Sequence, residues 1–209
     1  MTKLIVGIPT INRADLLNEA LDRYFEDFKD TEIFIVDNGN QNIITREKKF
    51  AIYRPERNLG VAGSWNVIAD YAYKTEATHV LILNDDVVLG RAEHEIKLLI
   101  NQNPDIPFFN SLQNWCSFIL RVDAWKELGG FDEEYYPAYW EDNSFCYKMR
   151  LAGMERLNTS FLNPIVYRNS MSIAKDPTLN NKFMENRQMY IDMWGGEIGK
   201  ETFKTKFNK

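Results

Sequence analysis

The chain has 209 residues, 44% of them apolar, and carries 25 Lys and Arg against 30 Asp and Glu, a formal net charge of −5. That length supports one globular domain with a sizeable core, and the apolar content excludes a disordered chain. The acidic balance gives no whole-surface field to hold DNA or anionic lipid, so a nucleic-acid binder is not expected.

Cys116 and Cys146 have no C-x-x-C partner, which indicates neither a disulfide framework nor a cysteine zinc site and fits a reducing, cytoplasmic setting. The opening MTKLIVGIPT is too short an apolar run for a signal peptide, and no stretch predicts a transmembrane segment.

In chain order, KLIVGI (3–8) reads as a strand closed by Pro9, and residues 14–28 carry apolar side chains at helical spacing. IFIV (33–36) and FAIY (50–53) are short strands, residues 62–73 turn helical, and HVLIL (79–83) reads as a buried strand. A helix over about 91–102, strands at 107–111 and 117–121, and two helical pieces within 123–153 follow. Late strands are expected at 156–161 and 164–168, and Pro177 opens a last helix to about Trp194. The alternation predicts an α/β sandwich with a largely parallel sheet.

Ligands of such sheets sit at the carboxyl ends of the strands, and the residues there are unusually polar. They are Pro9, Thr10, Asn12 and Arg13 after the first strand, Asp37 and Asn38 after the second, Arg57 and Asn58 after the third, and Asn84-Asp85-Asp86 after the fourth. Hydroxyl, amide, guanidinium and carboxylate groups on one edge suit a nucleotide with a metal-bridged diphosphate. Hard oxygen donors favour Mg²⁺ or Mn²⁺; the plainer reading of Asn-Asp-Asp is a turn capping the next helix. Gly60 and Gly63 precede or open a helix whose first amides would be free for an anion, unless they merely permit close packing. Glu141-Asp142 reads either as a helix-start acidic cap or as a general base, with Trp115 and Trp140 among the aromatics available to a sugar ring. Neither histidine forms a metal or triad pattern.

Taken in order, VGIPTINR, IFIVDNGN, RNLGVAGSWN, HVLILNDDV, FILRVDAWKELGGFDE and YWEDNSFCYKMRLAG resemble the GT-A nucleotide-sugar glycosyltransferases, closest to family 2, over about residues 4–155. MYIDMWGG (189–196) is a weaker echo of the segment that often ends such domains. The resemblance implies a three-layer sandwich in one domain over 1–209, with a nucleotide-binding half to about residue 90, an acceptor half beyond it, and room for further domains in a longer chain. It also implies transfer of a sugar from a UDP-sugar to a glycan or other hydroxyl acceptor. Thr10, Asp37, Arg13 and Asn38 fall at positions near the base, and Arg57 and Asn58 at the segment bordering base and ribose. Asp86 falls at the metal position, and Asp85 or Asn84 at the ribose. Glu141-Asp142 matches the pair supplying the base of inverting members, with Asp142 preferred, and Gly129-Gly130 matches the loop beside the donor sugar.

Three departures from the family pattern stand out: Asn84 replaces the first acid of D-x-D, Ser144 and Lys148 replace an Asp and an Arg of the E-D helix, and the usual late histidine is absent around Val166–Asn169. Arg168 is the residue expected to steady the diphosphate instead. A retaining transferase, a noncatalytic nucleotide-sugar or glycan-binding module, and a sugar nucleotidyltransferase are the alternatives.

Overall fold

The computed structural model describes residues 2–44, 50–167 and 178–209. Its centre is a seven-stranded sheet of β1 (Leu4–Thr10), β2 (Glu32–Asp37), β3 (Phe50–Tyr53), β4 (His79–Leu83), β6 (Phe108–Ser111), β7 (Ser117–Arg121) and β8 (Arg156–Thr159), ordered β3-β2-β1-β4-β7-β6-β8. β1, β2, β3 and β4 pair in parallel, β7 is antiparallel to both neighbours, and β6 pairs in parallel with β8. The near-continuous apolar runs of β1, β2 and β4 follow from burial on both faces.

Two helical layers cover the sheet. On one face α1 (Ala14–Asp27) and α3 (Glu93–Gln102) bring Leu17, Leu21, Tyr24, Ile96 and Ile100 onto Val6, Ile35 and Leu81. On the other, α2 (Gly60–Lys74), α4 (Val122–Glu127) and α5 (Glu141–Leu151) bring Trp65, Ile68, Val122 and Phe145 onto Ile5, Val80 and Phe118. α2 approaches β1 so closely that a Cβ on Gly7 would stand 2.1 Å from Ile68 Cγ2, so the strand needs glycine there. α6 (Thr178–Trp194) packs Tyr190, Met193 and Trp194 with Tyr135, Trp140 and Tyr147 as a third cluster.

The sequence expectations for β3, β4 and β7 match residue for residue. One small element was not expected: β5 (Val87–Val88), directly after the acidic turn, pairs antiparallel with β9 (Val166–Tyr167), which is shorter than the last predicted strand because residues 164 and 165 do not join it. A two-residue strand has too few side chains to show a period. Pro177 and Arg168 lie outside the described residues. No described helix is long and apolar enough to cross a membrane.

Candidate active site

The parallel strands β1, β2 and β4 end at Thr10, Asp37 and Leu83, so their following residues meet on one rim. Thr10 Oγ1 donates to Asp85 Oδ2 at 2.7 Å, joining the ends of β1 and β4. Gln41 Nε2 donates to Thr10 Oγ1 at 3.1 Å and to Asp37 Oδ1 at 3.0 Å, extending the chain to β2. Asp37, with no exposed side-chain surface, also accepts from the Gly39 and Gln41 amides and from Arg54 Nε at 3.1 Å. Its carboxylate is therefore committed to shaping the loop that follows it. Gln41 and Arg54 escaped sequence reading because a strand end draws attention to acids, and the partner of an acid on a neighbouring strand carries no local signal.

Asp85 and Asp86 are both buried. Burial lifts the Asp85 pKa to about 7, aided by the charge of Asp86 and opposed by the Thr10 hydroxyl, the Arg13 charge and the Ile11 backbone. Arg13 is itself only 1% exposed; it pairs with Asp15 through Nε at 3.1 Å, while its NH1 has no hydrogen-bond partner among the described residues. Asn84 is partly buried beside them and donates its backbone N–H to the Cys116 carbonyl at 2.9 Å. Pro9 is partly buried on the same rim, Asn12 is exposed with φ of 54°, and Arg57 is exposed beyond β3.

The start of α2 follows the close-packing alternative rather than the anion one. Its first amides are not open to an anion, because Leu59 N–H donates to Asn38 Oδ1 at 2.9 Å, Gly60 N–H to Asn58 Oδ1 at 2.9 Å and Val61 N–H to the Pro137 carbonyl at 2.8 Å. Gly60 has φ of 71°, and a Cβ there would stand 2.7 Å from the Pro137 oxygen. Gly63 abuts Leu59 and faces the Glu133 carboxylate. These glycines allow the 136–137 segment, just ahead of the turn that leads to Glu141, to seat on the helix.

Gly129 and Gly130 follow α4. Gly130, at φ of 74°, leaves no room for a Cβ, which would fall 2.7 Å from Asn66 Oδ1. Asn66 on α2 pins this loop: Oδ1 accepts from Trp125 Nε1 (3.0 Å) and Phe131 N–H (2.8 Å), and Nδ2 donates to the Phe131 carbonyl (2.9 Å) and Glu133 Oε1 (2.8 Å). Asp132, buried next door, accepts from Ser144 Oγ and pairs with Lys148 Nζ at 3.0 Å and Lys206 Nζ at 2.6 Å, which together hold its carboxyl below the usual range against its burial. The two departures Ser144 and Lys148 thus meet on one acid, and Lys148 also donates to the Gly130 carbonyl.

Glu141 and Asp142 form the first turn of α5. Burial pushes both pKa values up, Glu141 the more strongly because the Asp142 charge adds to it, whereas backbone bonds and the Arg156 charge hold Asp142 down. Glu141 Oε2 is buried and has no hydrogen-bond partner among the described residues. Asp142 is only partly buried, with Oδ1 accepting from the Asn143 amide at 2.8 Å. Trp140 and Tyr139 enter this turn with φ of 80° and 76°, a left-handed conformation costing roughly 1–3 kcal/mol for each such residue.

The two tryptophans offered as sugar platforms are occupied by packing. Trp115 lies against Trp65, Phe108 and Phe118 with ring centroids 4.7–5.8 Å away, and Trp140 is buried against Tyr190. An open cleft of about 320 Å³ lies elsewhere, between α5, Arg156 and the segment near Glu201. Its polar groups bond one another: Arg150 and Tyr190 both reach Glu201, and Arg156 reaches Cys146 Sγ.

A mostly parallel sheet flanked by helices, with acidic and amide side chains gathered at the strand carboxyl ends, defines the GT-A class of fold. Residues 5–109 match the model of glycosyl transferase family 2, and the chain belongs to that family. No curated protein matches it by sequence. Among solved structures it is similar to S. aureus TarS 1-349 in complex with UDP, at 18% identity and a TM-score of 0.58, covering 72% of this chain and 55% of that one. The same TarS portion in complex with UDP-GlcNAc gives 17% identity and a TM-score of 0.55 over 72% of this chain and 54% of the other. A Desulfovibrio desulfuricans G20 protein bearing the name nucleotide-diphospho-sugar transferase gives 10% identity and a TM-score of 0.53 over 76% and 80%. The chain thus spans little more than half the length of the TarS portion it resembles.

Proposed function

We propose that this chain is the catalytic domain of a metal-dependent, inverting glycosyltransferase that moves a sugar from a UDP-sugar to a hydroxyl of a glycan or similar acceptor. One observation carries the reading. Two acidic pairs close strand β4 and open α5: Asp85 beside the buried Asp86, and the buried Glu141 beside Asp142; burial lifts the carboxyls of Asp85, Glu141 and Asp142 above their ordinary pKa, as suits groups that work with a cation or a proton. The UDP and UDP-GlcNAc complexes of TarS support the choice of donor.

Asp86 would hold Mn²⁺ or Mg²⁺, with Asp85 or Asn84 turned to the ribose. The donor set fits such an ion, because hard cations accept one or two carboxylates and complete their shell with water and substrate phosphate. When bound, the ion supplies charge neutralisation for the departing diphosphate. Thr10, Asp85, Gln41 and Arg13 line the floor for base and ribose, with Asp37 and Arg54 shaping its edge. Asp142, the more accessible member of its pair, takes the proton of the acceptor hydroxyl, and Glu141 keeps its charge in check. Gly129 and Gly130 border the donor sugar. Residues 1–90 serve the nucleotide and the remainder the acceptor.

Incubation with Mn²⁺ and a panel of nucleotide sugars tests this. Release of UDP and sugar is expected, and Asp86→Ala is expected to abolish metal-dependent UDP binding. Pyrophosphate release from a nucleoside triphosphate and a sugar phosphate would establish a nucleotidyltransferase instead, and binding without turnover a noncatalytic module. Retention in the product anomer, read by NMR, would remove the base role from Asp142.

A further inference from the structure

The Glu141-Asp142 pair is delivered by a turn that its own residues disfavour. Tyr139 and Trp140 both sit at positive φ, a region that bulky side chains enter only when the surroundings force them. Those surroundings are one face of α6. Phe183, Asn186 and Tyr190 recur at i, i+3 and i+7 and so line one side of the helix. The Phe183 ring lies 5.4 Å from Tyr139 and 5.6 Å from Trp140, and the Tyr190 ring 5.3 Å from Trp140. Between them Asn186, 2% exposed, donates from Nδ2 to the carbonyls of Ala138 at 2.8 Å and Tyr139 at 3.2 Å.

Ring packing is tolerant of orientation, whereas one amide nitrogen bonded to two successive carbonyls fixes the peptide planes leading into the turn. We infer that Asn186 is a positioning residue: by holding the Ala138 and Tyr139 carbonyls it locks the left-handed turn and sets the direction in which Glu141 and Asp142 face the acceptor. This rests on the glycosyltransferase reading above and adds to it an element from beyond the matched family segment, which ends at residue 109.

Two variants test it. Asn186→Asp keeps the shape but has no N–H to donate, and Asn186→Ser keeps one short donor. With Mn²⁺ present, UDP affinity, the kcat and KM for UDP release from UDP-GlcNAc, and hydrogen exchange across residues 138–145 are measured on the full chain. Asn186→Asp is expected to lower kcat about tenfold or more, with Asn186→Ser between it and the parent. UDP affinity and donor KM should stay within about twofold, and exchange should quicken only over 138–145. Unchanged kcat per UDP-binding site overturns the inference. So does a parallel loss of UDP binding with exchange rising throughout, the sign of general destabilisation. If the parent binds UDP yet turns over no nucleotide sugar, the glycosyltransferase reading fails, and exchange at 138–145 decides the turn-locking role by itself: no change in either variant sinks it.

Discussion

At the scale of single residues, burial sets the chemistry. Asp85 follows a fully buried strand, and its pKa of about 7 lies above the value of about 4 of an unfolded aspartate. The folded chain therefore holds this proton longer than the unfolded one, so stability falls as pH rises from about 4 to about 7 and the full cost is present above that window. Asp85→Asn still accepts from Thr10 but carries no charge. Without divalent metal it is expected to be more stable than the parent at pH 8, by at most about 4 kcal/mol, and equal to it below pH 4. Thermal unfolding in a chelator checks this; a difference that does not grow across the window contradicts the raised pKa. The sequence already marked Asp85, because an acid after a buried strand needs a reason. It did not mark Gln41 or Arg54, whose contacts to Asp37 and Thr10 cross strands that only the sheet brings together.

At the scale of elements, α2 ties the sheet edge to the segments that follow α4. Its first turn is capped by Asn38 and Asn58 and overlain by Pro137, and its Asn66 reads both backbone groups of Phe131. The motif RNLGVAGSWN was visible in the sequence as glycines before a helix, which left an anion site and close packing both open. Its amides instead receive protein acceptors, because sequence spacing locates a helix start without revealing what chain returns to it. Asn66→Ala strands a buried N–H and a buried carbonyl at Phe131, each costing about 1–3 kcal/mol. A loss of roughly 2–4 kcal/mol in urea unfolding is expected, together with weaker donor-sugar discrimination but intact UDP binding. A loss under about 0.5 kcal/mol would show that the loop is held by packing alone.

At the scale of the whole molecule, the excess of acids over bases first spoke only against nucleic acid. The fold changes its meaning, because two of those carboxylates are buried at the strand ends that the proposed function gives to a diphosphate. UDP without a divalent cation should therefore stabilise the chain little. UDP with Mn²⁺ is expected to add about 2.7 kcal/mol at a concentration of 100 Kd, read as a rise in Tm. Equal shifts with and without the ion would argue against a metal at Asp86. The far end of the chain joins the same structure: Lys206 reaches Asp132, and the Tyr147 hydroxyl donates to the Phe203 carbonyl at 2.6 Å.

By itself the amino-acid sequence determined the order and type of the main elements and the class of fold. Their apolar runs and helical periods are local, and polar residues after strands stand out against them. It also supplied the acidic pairs, since an acid beside a buried segment is visible without coordinates. The tertiary structure alone decided which acid is committed to scaffolding, as Asp37 is, and which tryptophans are core. It also decided that an asparagine on the last helix holds the turn ahead of Glu141. Those assignments depend on contacts between residues distant in the chain, and no local pattern encodes the partner of a side chain.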